Sequence, residues 1–142
     1  MGANLRCACG CTATLLLTVS VSAGQTDDRL INAVRDQDQP RVETLIEQRV
    51  DVDASQPDGA TALHWAAYSD DLALANLLIG AGADLDAVND YGITALALAC
   101  DNGTASMVRL LLAAGANANA PRSTGETPLM TCARTGDLDA VR

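Results

Sequence analysis

Phenylalanine and lysine are absent from the chain, histidine and tryptophan occur once each, and tyrosine occurs twice. Without phenylalanine, and with aromatics at 2% of residues, a thick globular core has little to fill it. The apolar fraction is 49%, much of it alanine, which suits a thin core of Leu, Ile, Val and Ala between closely spaced helices. A lone histidine, His64, cannot complete a His-based metal site or a Ser-His-Asp triad. All nine cations are arginine, and the absence of lysine points to no function. The net charge of −9 is spread along the chain, which favours solubility and disfavours unspecific nucleic-acid binding, for which a basic face is needed. No apolar run approaches the roughly 20 residues of a membrane-spanning helix. A Gly-rich phosphate loop is also missing, since Gly80 and Gly82 follow a helical pattern rather than precede one.

What is present is a repeat of 33 residues. PDGATALHWAAYSDDLALANLLIGAGADLDAVN returns one period later as DYGITALALACDNGTASMVRLLLAAGANANAPR. Gly59, Gly92 and Gly125 share a register, as do Thr61, Thr94 and Thr127, and Leu45, Leu78 and Leu111. A fixed period of this length signals stacked supersecondary units. Within each unit, i, i+3, i+4 apolar sets mark two helices. The sets are Leu30/Ala33/Val34 and Val42/Leu45/Ile46 in the first unit, with Leu63/Ala66/Ala67 and Leu96/Ala99/Cys100 opening the next two. Asp38, Asp71, Thr104 and Asp137 fall just before the second helix of each unit, and all are good N-cap types.

The segments TALHWAA and LLIGAGADLDA, with weaker copies TPLMTCA and LLLAAGANANA, resemble the ankyrin repeat from about Thr26 onward. The resemblance implies an all-α solenoid of helix-turn-helix pairs joined by β-hairpin loops. It implies little about chemistry, because such arrays carry many unrelated binding activities. It also assigns His64 to a turn where the ring orders neighbouring loops, a role that Ala97 and Met130 cannot take in later units.

Read in order, residues 1–23 have the layout of a secretory signal peptide: Arg6, an apolar core from Ala13 to Val21, and small residues at Val21-Ser22-Ala23. Residues 24–142 then form the array: a capping repeat over 26–55, full repeats over 56–89 and 90–122, and an incomplete repeat over 123–142. Thr26 and the two aspartates after it fit a helix start. Arg41 and Thr44 are polar where later units carry Leu74, Leu77, Met107 and Leu110, as expected of a cap. Arg49 departs from the pattern, standing where Gly82 and Gly115 end their helices. The second helix of the last unit is cut short, so the array is expected to continue past Arg142.

Cys7, Cys9 and Cys11 lie in the leader and precede its apolar core, which argues against both a metal cluster and a lipid anchor. Cys100 and Cys132 stand at apolar helix positions occupied by alanine in other units and are expected to be buried free thiols. Asp84 and Asp86 recur as Asp51/Asp53 and Asn117/Asn119, marking turn residues rather than a calcium pair. Neither a catalytic residue, a metal site nor a cofactor site is expected.

Trp65 and Tyr68 stand at i, i+3, off the buried face of their helix. By the resemblance they occupy variable positions on the concave side of the stack, and Tyr91 and Ile93 lie in the next hairpin. The period places Asp101 and Asn102 beside Tyr68 and Ser69. These seven residues are the expected partner-binding set, suited to apolar groups flanked by Arg or Lys. The expected function is a non-enzymatic protein-protein interaction module, exported to the periplasm or the extracellular space, without nucleic-acid binding, and without membrane insertion once the leader is cut. The alternative is an architectural spacer, the N-terminal section of a larger exported protein.

Overall fold

The computed structural model describes residues 28–135. The leader, the Thr26 helix start, Asp137 and the second helix of the last unit lie outside the described residues. The helices are α1 (Arg29–Arg35), α2 (Gln39–Glu47), α3 (Ala62–Tyr68), α4 (Leu72–Gly80), α5 (Ala95–Asn102), α6 (Ala105–Ala114) and α7 (Pro128–Thr135). They form two layers. The first helices α1, α3, α5 and α7 pack in series, and α2, α4 and α6 stack behind them.

The core follows the period. Leu30, Leu63 and Leu96 share a register and are buried, and Ala66, Ala67 and Ala99 let α3 and α5 approach closely. Behind them, Leu45, Leu78 and Leu111 are buried in one row and Val42, Ala75 and Val108 in another. Leu129 continues the first leucine row but is 41% exposed, because no described element covers that side of α7. Arg41 and Thr44 are exposed.

The ends of the helices bear out most of the sequence signals. The Asp38 carboxylate accepts from the Arg41 N–H and that of Asp71 from the Leu74 N–H, capping α2 and α4. Thr104 has a cap's backbone but makes no side-chain cap bond; its hydroxyl donates back to the Ala99 carbonyl. Arg49 adopts φ +56°, in register with Gly82 at +92° and Gly115 at +105°, so a side chain there carries the left-handed strain that glycine avoids.

The three later units open with the same turn. The N–H groups of Gln56, Asn89 and Arg122 donate to the carbonyls of Ala60, Ile93 and Glu126. Among the described residues these hairpins make no strand ladder, and one isolated bridge joins Ser55 and Thr61. The tips press on one another: a Cβ on Gly59 would lie 2.9 Å from the Asn89 Cα, and one on Gly92 2.9 Å from the Ser123 nitrogen. Between units, the Asp53 and Asp86 carboxylates accept from the backbone N–H groups of Asp84 and Asn117, each at 2.7 Å. Asp84 and Asp86 thus serve the backbone.

The two cysteines correct the sequence reading. Cys100 and Cys132 are buried, as expected, but they are joined in a disulfide that links α5 to α7. Comparing each cysteine with the alanines of its own register hid the pairing. The residues that face across a junction are 32 apart rather than a full period. One unit earlier, the corresponding pair is Ala67 and Ala99.

Candidate functional site

The face built by the first helices and the hairpin tips carries the expected partner-binding residues, and the structure sorts them into frame and display. Trp65 is partly buried, its indole N–H donating to the Gln56 side-chain oxygen at 3.1 Å. The Arg35 guanidinium stacks over its ring, 4.9 Å from the centroid, and Tyr68 meets it edge-on at 6.0 Å. Such cation–π and edge-to-face contacts fix ring orientation. Tyr68 nevertheless remains 62% exposed, and Tyr91, on the next hairpin and outside this ring contact, is 68% exposed.

The remaining members are committed to structure. Ser69 donates its hydroxyl to the Trp65 carbonyl at the end of α3. The Asn102 amide donates to the Tyr68 carbonyl at 3.0 Å and the Ala67 carbonyl at 3.4 Å, binding α5 to the end of α3. Ile93 is half-buried, and its carbonyl accepts from His64 Nε2 at 2.8 Å. Asp101 is paired with Arg122 at 2.6 Å and lies 3.9 Å from Arg134. Its charge is therefore balanced inside the array, which removes the reason to expect Arg or Lys on a partner.

Two arginines of this face escaped the sequence reading, although the period marks them. Arg35, Tyr68, Asp101 and Arg134 are spaced by one repeat each and form a single row. Arg35 holds Trp65 at one end, and Arg134 bridges Asp101 and Glu126 at the other.

His64 is strongly constrained by its hydrogen bonds. Because a carbonyl can only accept, Nε2 carries the proton toward Ile93, leaving Nδ1 to accept from the Thr61 N–H at 3.1 Å and the Thr61 hydroxyl at 2.9 Å. Burial lowers its pKa below the ordinary 6.5, with the Ile93 bond and the Asp58 carboxylate acting in the opposite direction. Among the described residues, no three His, Cys, Asp or Glu side chains gather as metal ligands, and no helix is long and apolar enough to cross a membrane.

Stacked helix pairs, tips in contact and a row of side chains that differ from unit to unit define a repeat scaffold. A family model of ankyrin repeats (3 copies) matches residues 5–89 and again 66–142, and the chain belongs to that family. The first match begins within the stretch read as a leader. No curated protein matches the chain. Ankyrin repeats are in general protein-protein interaction modules, typically without enzymatic activity.

Proposed function

We propose that this array is a non-enzymatic module that binds a partner protein on its first-helix face, the concave side of an ankyrin stack. The observation that carries the reading is the exposure of Tyr68 and Tyr91 on a frame whose neighbouring polar groups are already hydrogen-bonded. Exposed tyrosines held by a rigid frame make good anchors, since little conformational freedom is lost on binding. The partner supplies apolar groups to the two rings. A Tyr68→Ala, Tyr91→Ala double variant of unchanged stability should weaken partner capture from an extract by about 2 kcal/mol or more. Capture of the same partners at undiminished affinity would leave the array as a spacer.

We place the module outside the cytoplasm, in the periplasm or beyond. The leader-like residues 1–23 support this, as does a disulfide, which persists in oxidising compartments. N-terminal sequencing of the exported protein should start near Gly24; an intact Met1 in soluble protein would contradict it.

A further inference from the structure

The Cys100–Cys132 disulfide stands at a junction where the fold does not require it. At the preceding junction, between α3 and α5, the corresponding residues Ala67 and Ala99 are both buried and pack without any bond. Alanine therefore fits this place, and the covalent link is an addition to the stacking. The junction that received it is tied differently from the one before. His64 braces α3 to the next hairpin, but one unit on Ala97 stands in its register and has no polar side chain. Arg122 reaches back instead, at 3.3 Å from the Ala97 carbonyl and paired with a half-exposed Asp101. Among the described elements α7 packs on α5, and its other side leaves Leu129 and Met130 exposed at 41% and 59%. Among the described elements, α7 therefore has one packed neighbour of its own layer where α3 and α5 have two.

We infer that the disulfide is a redox latch holding the last described repeat onto the array, and with it the Asp101–Arg134–Glu126 end of the first-helix face. The cysteines are 1% and 3% exposed, so a reductant has no line of attack on either sulphur while α7 is docked. Opening comes first. A dithiol then attacks one sulphur, the S–S bond breaks through a mixed disulfide, and the second thiol of the dithiol releases the other cysteine. Two electrons and two protons pass to Cys100 and Cys132, which become thiols, and the dithiol leaves as its own disulfide. Without the link, the described contacts of α7 are its packing on α5, the Leu129 N–H bond to the Ala118 carbonyl, and exposed ion pairs of Arg134, which contribute little.

Hydrogen exchange of the full chain tests this in three forms: oxidised, reduced with dithiothreitol, and as the Cys100→Ala, Cys132→Ala double variant. The variant restores the pattern of the preceding junction, so it should fold. Exchange across Pro128–Thr135 should accelerate by up to roughly five-hundredfold on reduction, the factor that closing a loop of this size corresponds to. Ala62–Tyr68 should keep its rates, and the alanine variant should match the reduced form with or without dithiothreitol. The rate of thiol release should level off at high dithiothreitol, because opening limits it. Unchanged exchange in α7 would overturn the latch. Equal acceleration in α3 would overturn it too, showing a brace for the whole array instead.

Discussion

At the junction between α3 and α5, one imidazole serves three polar groups: the Thr61 N–H, the Thr61 hydroxyl and the Ile93 carbonyl. Removing it as His64→Ala leaves buried groups unpaired, and the expected loss is about 2 kcal/mol at neutral pH. Its stabilisation also depends on pH. The folded pKa is lowered by burial, whereas the unfolded chain titrates near 6.5. Above that value the ring is neutral in both states, and its stabilisation is fully present. Below it the unfolded chain takes up the proton first, so stability is lost as pH falls toward the folded pKa. The urea midpoint of the native chain should therefore approach that of His64→Ala on acidification. Parallel curves would show that the neutral ring is not what holds Ile93. Glycines separate into two kinds at this scale. Gly92→Ala should cost more than Gly125→Ala in the same assay. Both adopt positive φ, but only the first would drive its Cβ against backbone, at Ser123.

Among the elements, α4 and α6 are equivalent helices that start differently. Asp71 accepts from the Leu74 N–H, whereas the Thr104 hydroxyl turns to Ala99. Asp71→Ala should lower stability by about 1 kcal/mol. Thr104→Ala should cost clearly less, because no cap bond is lost, and chemical denaturation of the two variants would separate them. Residue type was a sound guide to where α6 begins, but not to what its first side chain does. A threonine hydroxyl can bond to its own N-terminal neighbours as readily as to the helix ahead. The same limit appears at the hairpins. The period places the turns of the three later units correctly, as the repeated bonds of Gln56, Asn89 and Arg122 show, yet among the described residues strands reduce to the isolated Ser55–Thr61 bridge.

For the molecule as a whole, the period made the helix pairs, the buried leucine rows and the exposed faces of the first repeat legible. It does so because stacking translates every register by the same vector. Contacts that cross a junction out of register were not legible. Cys100 with Cys132, Asn102 with the Tyr68 carbonyl, and Arg122 with Asp101 each join residues whose offset differs from 33. Their partners depend on helix tilt and side-chain reach, which no count along the chain contains. The candidate face was legible as a location, through Trp65, Tyr68 and Tyr91, and illegible as a division between display and frame. The carboxylate bonds from Asp53 to Asp84 and from Asp86 to Asn117 carry a further consequence, because each spans 31 residues. Excising residues 57–89 would leave Asp53 the same 31 positions before Asn117, and Gln56 in the place of Asn89. A chain shortened by one whole unit can therefore splice its rungs back together. One shortened by a single residue between Asp53 and Asp84 cannot, because Asp53 would then stand only 30 positions before Asp84, while Asp86 and Asn117 keep their own spacing. Circular dichroism should find the first deletion folded at lower stability, and the second with less helix because the junction that spans the cut is lost. The array behaves like a vernier, open to change only in whole divisions of its scale.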